Sequence, residues 1–161
     1  MSELRFAIVT SSDSCAKGER DDLSGRALTE LVEARGWSVC NYHVCPDDRE
    51  SLTASLIEMA DLDGADVILT TGGTGFGPRD VTPEATIAAC ERLAPGIAEH
   101  IRAQSMMVTP RAMLARGVCG LRGHTLIINL PGSEKAVRES FSFVVDQLEH
   151  AVKMIGGGGH D

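Results

Sequence analysis

The chain of 161 residues has no apolar run long enough to cross a bilayer. Its first residues, Met-Ser-Glu-Leu-Arg, have neither the basic start nor the apolar stretch and small-residue cleavage site of a signal peptide. These absences predict a cytoplasmic chain with no membrane partner. The cysteines Cys15, Cys40, Cys45, Cys90 and Cys119 form no CxxC pair and no cluster with the spacing of zinc ligands, so they read as reduced thiols. Positive charge is scarce: the formal net charge is −8, which argues against a general nucleic-acid binder. The two common nucleotide fingerprints, GxxxxGK[ST] and GxGxxG, are missing. No internal repeat or central linker interrupts the chain. It therefore reads as one domain over residues 1–155, followed by a flexible glycine-rich tail at 156–161.

What is present is ordinary in bulk and informative in order. Hydrophobic residues make up 43% of the chain and charged residues 24%, as in globular proteins. Buried strands are predicted at 4–10, 67–71 and 125–130, a second strand at 37–44, and a further strand near 118–121 beside the last of the buried ones. Helical spacing covers 23–34, closed by Gly36, and 49–59, capped by Asp47 or Asp48. Thr82-Pro83-Glu84 reads as a cap, a first-turn proline and an acid, opening a helix to about residue 92. Another helix is predicted over 95–105, and Ser133 caps a last one running to about residue 155. Continuous apolar strands alternating with helices predict an α/β fold, a doubly wound, mostly parallel sheet with helices on both faces.

Ligands of such sheets bind outside the carboxyl ends of the strands. Four polar segments follow strands here: residues 10–14, 46–48, 72–80 and 131–133. Gly72-Gly73-Thr74-Gly75 lies between an apolar strand and a helix start, and is either a phosphate cradle or a tight structural turn. Asp47 and Asp80 follow strand ends on the same edge. They are either ligands for Mg²⁺, which takes hard oxygens and bridges phosphates, or a helix cap and a turn closure. Asp13 is a third candidate of the same kind. Arg79 can pair with a phosphate or with Asp80. From His100 to Ser133 there is no acid, while Arg102, Arg111, Arg116 and Arg122 lie in that stretch. Charge alone leaves open whether they hold a small anion or form a solvated face.

The run Thr70-Thr71-Gly72-Gly73-Thr74-Gly75-Phe76-Gly77-Pro78-Arg79-Asp80-Val81-Thr82-Pro83-Glu84 resembles the signature of the bacterial molybdopterin adenylyltransferases, and that of the G domains of gephyrin and its plant counterpart. The resemblance covers nearly the whole chain. It includes Ser12-Asp13 with Asp22-Ser24-Gly25, Pro46-Asp47-Asp48, Thr109-Pro110 through Gly123, and Leu126-Ile127-Ile128-Asn129-Leu130-Pro131-Gly132. It implies a homotrimer that adenylylates molybdopterin with ATP and Mg²⁺, with possible hand-over to a molybdenum-inserting protein. It assigns Asp47 and Asp80 to catalysis and metal binding. It assigns Gly72, Gly73, Thr74 and Gly75 to phosphates and Ser105 to the pterin; Asp13, Pro131, Gly132 and Ser133, on loops at the same edge, are further candidates for the ligand site. Leu114-Ala115-Arg116 departs from the family's Leu-Ser-Arg, and Ser133-Glu134 stands where relatives have Asn-Pro or Gln-Pro. The alternative within the family is a non-catalytic, molybdopterin-binding B-type paralogue. Retention of Asp47 and of Pro78-Arg79-Asp80 favours the catalytic branch.

Overall fold

Short apolar segments that carry β-branched and aliphatic residues at consecutive positions need cover on both faces, and this requirement organises the chain. A computed structural model describes residues 3–158. The elements run β1 (Arg5–Ser11), α1 (Asp13–Ala16), α2 (Leu23–Ala34), β2 (Ser38–Cys45), α3 (Arg49–Asp61), β3 (Val67–Thr71), α4 (Thr82–Ala89), β4 (Arg92–Leu93), α5 (Pro95–Met106), β5 (Cys119–Arg122), β6 (Thr125–Leu130), α6 (Glu134–Val144) and α7 (Leu148–Ile155). The six strands form one sheet in the order β2-β1-β3-β6-β5-β4. The pairs β1–β2, β1–β3 and β3–β6 are parallel, whereas β5 runs antiparallel to both β6 and β4.

Side chains alternate across this sheet and divide the core in two. Phe6, Ile8, Leu69, Ile128 and Leu130 face α2, α5, α6 and α7, where they meet Leu28, Ile101, Phe141 and Leu148. Ala7, Val9, Ile68 and Ile127 face α3 and α4, against Leu52, Leu56, Met59 and Ala85. Helices therefore cover both faces. The chain passes from β1 to β2 on one side and returns to β3 on the other. The loops after β1 and β3 consequently part at a switch point, where this class of sheet opens a crevice.

Three expectations need correction. The helix opening near Thr82 stops at Ala89, because Cys90 is extended and Arg92–Leu93 pairs with Leu121 and Gly120. Thr82 is not its cap. It is the first helical residue, and its hydroxyl donates to the Gly72 carbonyl at 2.9 Å. The long last helix is broken by a 3-10 turn at Val145–Gln147. The break falls at the β-branched pair Val144 and Val145, both buried, and the tightened turn leaves Leu148 fully buried. Gly156 and Gly157 close α7 through backbone bonds to Val152 and Met154. The rest of the expected tail, residues 159–161, lies outside the described residues.

Candidate active site

Four loops meet at the carboxyl edge of β1, β2, β3 and β6, and short contacts lock them together. The Ser11 hydroxyl donates to Asp47 Oδ1 at 2.7 Å. The Asp13 N–H donates to Asp47 Oδ2 at 3.0 Å, and the Asp47 N–H donates back to Asp13 Oδ1 at 2.9 Å. The Thr71 hydroxyl donates to the Pro131 carbonyl at 2.6 Å, and the Ser24 hydroxyl to the Gly132 carbonyl at 2.6 Å. Asp48, not Asp47, caps α3 by accepting from the Ser51 N–H. Asp47 is thus committed to the β1 loop, and its expected alternative as a helix cap does not hold.

The glycine loop requires glycine at its start. Gly72 and Gly73 have φ of +90° and +69°, in the left-handed region that side chains disfavour. A Cβ on Gly72 would lie 2.4 Å from the Ser11 carbonyl oxygen, and one on Gly73 2.4 Å from Thr82 Oγ1. Farther along, Asp80 Oδ2 accepts from the Gly77 N–H at 2.9 Å, so its carboxylate folds back on its own loop. Arg116 clamps the same segment: its N–H donates to the Thr74 carbonyl, its Nε to the Gly75 carbonyl and its Nη2 to the Asp80 carbonyl. Glu84 of α4 holds that guanidinium through two oxygens, and the pairing holds the Glu84 carboxyl below its usual range.

These contacts answer the charge question raised by the acid-free stretch. Arg116 is tied to Glu84, and Arg122 is tied to Asp61 and the Ala89 carbonyl. Arg102 donates to the Ala115 and Gly117 carbonyls. Arg111 alone of the four has no side-chain hydrogen bond or ion pair among the described residues. Arg79 pairs with Asp13 rather than Asp80, with Nε and Nη2 each 3.0 Å from a carboxylate oxygen. That fork holds the Asp13 carboxyl below the ordinary carboxylate range.

Two cavities of about 340 Å³ flank the glycine loop. The first is mostly apolar and lies under α5 and the 3-10 turn Pro110–Leu114, with Thr74, Gly75, Ser105, Arg111, Ala115 and Pro131 on its walls. The second is more polar and is walled by Ser11, Asp22, Ser24, Gly72, Gly132 and Ser133. It is bordered by the starts of α2 and α6, whose caps Asp22 and Ser133 accept from the Gly25 and Ala136 N–H groups. Asp22 is buried. It also accepts from the Thr10 hydroxyl at 2.6 Å and from the Tyr42 hydroxyl, and burial with this carboxylate pushes the Tyr42 phenol up. The fold thus brings Gly72, Thr74, Gly75, Ser105, Pro131, Gly132 and Ser133 onto two adjoining cavities, while Gly73 lies between them and lines neither. Asp13, Asp47 and Asp80 line neither cavity. They stand on the loops beside them, and among the described residues no three His, Cys, Asp or Glu side chains group into a metal cage.

Residues 7–150 match the family model described as a probable molybdopterin binding domain. The chain belongs to this molybdopterin-binding family. It is 37% identical over 159 residues to the molybdopterin adenylyltransferase of Helicobacter pylori, covering 98% of this chain and 90% of that one. It is 43% identical over 160 residues to the molybdenum cofactor synthesis protein cinnamon of Drosophila melanogaster, of which it spans only 26%. Among solved structures, the molybdopterin biosynthesis enzyme MoaB of Thermus thermophilus superposes with a TM-score of 0.90 at 43% identity, covering 98% of this chain and 99% of that one.

Two structural anchors of this family member escaped the sequence reading. Asn129 donates to the Thr70 and Thr86 hydroxyls and accepts from the Val118 N–H, tying β3, α4 and β6 to the segment before β5. Its signal was a polar residue inside the apolar run 125–130. Arg116 gave no local signal, since its partner Glu84 is 32 residues away.

Proposed function

We propose that this chain transfers the adenylyl group of ATP to molybdopterin, releasing pyrophosphate, as a cytoplasmic step of molybdenum cofactor biosynthesis. The observation that carries the reading is the pair of cavities on either side of one glycine loop. One is apolar enough for a pterin, and the other is polar and bordered by two helix starts that suit phosphates. Its support from relatives is the likeness to the Helicobacter pylori adenylyltransferase over nearly the whole of both chains.

In this reading a terminal phosphate oxygen of molybdopterin attacks the α-phosphorus of ATP. A new P–O bond forms, the bond from the α-phosphorus to the bridging oxygen breaks, and its electron pair leaves with pyrophosphate. A phosphate monoester is already largely ionised at neutral pH, so no strong base is needed. Positioning and charge neutralisation supply the rate. The backbone of Gly72 to Gly75, with Gly132 and Ser133, holds the nucleotide phosphates. Ser105, Arg111 and Pro131 hold the pterin.

Asp47 and Asp80 fit Mg²⁺ by donor chemistry. Both offer hard carboxylate oxygens, Asp80 Oδ1 accepts no described hydrogen bond, and Mg²⁺ commonly takes only one or two carboxylates beside phosphates and water. Asp47 and Asp80 would hold Mg²⁺, whose charge would offset that of the triphosphate and of the departing pyrophosphate. Asp13 is held by Arg79 and by the Asp47 N–H, and serves the site by orienting Asp47. The same reading includes a homotrimer and release of the product to a molybdenum-inserting protein. The fusion-sized relative cinnamon, about four times the length matched here, is in keeping with that hand-over.

The test is pyrophosphate release from Mg²⁺-ATP with and without molybdopterin. Release that depends on the pterin supports the transferase. Tight pterin binding without release favours a binding protein and makes Ala115→Ser the first variant to build.

A further inference from the structure

We propose that Arg79 is a positioning residue that sets the separation between Asp47 and Asp80. The inference rests on the reading of those two aspartates given above. They stand on different loops, the first after β2 and the second at the end of the glycine loop, and no direct bond between them is present among the described residues. Arg79 adjoins Asp80 in the chain and reaches across to the first loop cluster. Its Nε and Nη2 grip the two oxygens of Asp13 at 3.0 Å each. Asp13 in turn is joined to Asp47 by the reciprocal pair of backbone-to-carboxylate bonds at 3.0 and 2.9 Å. The covalent link from Asp80 to Arg79, the fork to Asp13 and the two hydrogen bonds to Asp47 form one continuous chain between the two carboxylates.

Each link in that chain is directional. A planar guanidinium in a two-bond grip fixes both distance and orientation, which a point-charge ammonium cannot do. Asp80 is oriented from the other side by the Gly77 N–H, and its backbone carbonyl is held by Arg116. Two arginines pin the glycine loop, Arg116 to α4 and Arg79 to the β1 and β2 loops. Only the second pin connects the aspartates. Arg79 is exposed, with 64% of its side-chain surface accessible, so its pairing contributes little to folding. Its effect falls on geometry.

The test uses the full chain as wild type, Arg79→Lys, Asp13→Asn and the double variant. Mn²⁺ is the probe in place of Mg²⁺, and its binding in the presence of ATP and the absence of pterin is followed by electron paramagnetic resonance. Melting temperatures check that each variant folds. Each single variant is expected to weaken Mn²⁺ binding by about tenfold. The double variant should be no weaker than either single one, because both substitutions break the same chain. In turnover, Arg79→Lys is expected to need about tenfold more Mg²⁺ for half-maximal rate and to recover most of kcat when Mg²⁺ saturates. Unchanged Mn²⁺ affinity, additive losses in the double variant, or no Mn²⁺ bound by the wild type would each overturn the proposal. So would a kcat that stays low in Arg79→Lys at saturating Mg²⁺, since that places Arg79 on the phosphates. A wild type that binds Mn²⁺ as expected but forms no adenylylated pterin removes the transferase reading, and the Mn²⁺ comparison still decides the role of Arg79.

Discussion

Alanine at Gly72 combines two penalties, a left-handed backbone and a clash with backbone, that alanine at Gly18 and at Gly132 separates. Gly72 has φ of +90° and would place a Cβ 2.4 Å from the Ser11 carbonyl oxygen. Gly18 has φ of +76° with nothing within 4 Å of the added atom, so Gly18→Ala isolates the backbone term, about 1–2 kcal/mol. Gly132 has ordinary φ and would meet the Gly72 Cα at 3.3 Å, a contact relieved by a shift of a few tenths of an ångström. Gly132→Ala is therefore expected to cost under about 1 kcal/mol. At Gly72 the atom struck is backbone at the end of β1, which cannot rotate away. Relief requires β1 and β3 to part where Thr10 pairs with Thr71. Adding an overpacking cost of about 1–3 kcal/mol to the backbone term gives a total near 3 kcal/mol. In a chain of this size that corresponds to a melting temperature lower by roughly 6–12 °C. Thermal and urea unfolding of the three variants beside the wild type read the difference. A Gly72→Ala protein that melts within a degree or two of Gly18→Ala would refute the claim that this loop is wedged between β1 and β3.

Asp80→Asn keeps an oxygen to accept from the Gly77 N–H, so its melting temperature is expected to stay within about 2 °C. Its turnover should fall by about a hundredfold or more, on the scale of losing one preorganised electrostatic contact. A near-normal rate removes Asp80 from the mechanism. Asn129→Ala strands the Val118 N–H and two buried hydroxyls, and is expected to cost about 2–4 kcal/mol, read by urea unfolding. A loss below about 1 kcal/mol would mean that those groups find other partners. Glu84 is held below its ordinary 4.5 by Arg116, so its contribution to stability is present above that pH and is lost as pH falls through the lower folded value. Glu84→Gln is accordingly expected to flatten the stability profile below about pH 4.5, as measured by acid titration of unfolding. An unchanged acid limb would show that this pair does not couple to folding.

Local pattern was enough to place most of the elements. The run 67–71 becomes β3 and 23–34 becomes α2 with the expected bounds, because burial on both faces and helical spacing are written in neighbouring residues. The meeting of the loops after β1, β2, β3 and β6 was legible for the same reason: a parallel sheet sends all its carboxyl ends one way. What could not be read was decided by distant partners. Thr82 looks like a cap in sequence, yet its hydroxyl is drawn to the Gly72 carbonyl across the loop. Of the two partners expected for Arg79, a phosphate or its neighbour Asp80, the second does not hold, because the guanidinium meets Asp13, 66 positions away. The absence of acids around Arg116 and Arg122 left open a small-anion site or a solvated face, but Glu84 and Asp61 arrive from other elements and pair with them. The break between α6 and α7 has only the pair Val144 and Val145 to announce it, and β-branching at two positions does not by itself end a helix.

The most direct measurement is the fate of the α-phosphate. ATP carrying heavy oxygen on its α-phosphate is mixed with the protein, Mg²⁺ and molybdopterin, and the products are weighed by mass spectrometry. Adenylyl transfer puts the heavy α-phosphate in an adenylylated pterin and leaves the pyrophosphate unlabelled. Label remaining in ADP beside a phosphorylated pterin, or intact ATP beside bound and unchanged pterin, would contradict adenylyl transfer at this site.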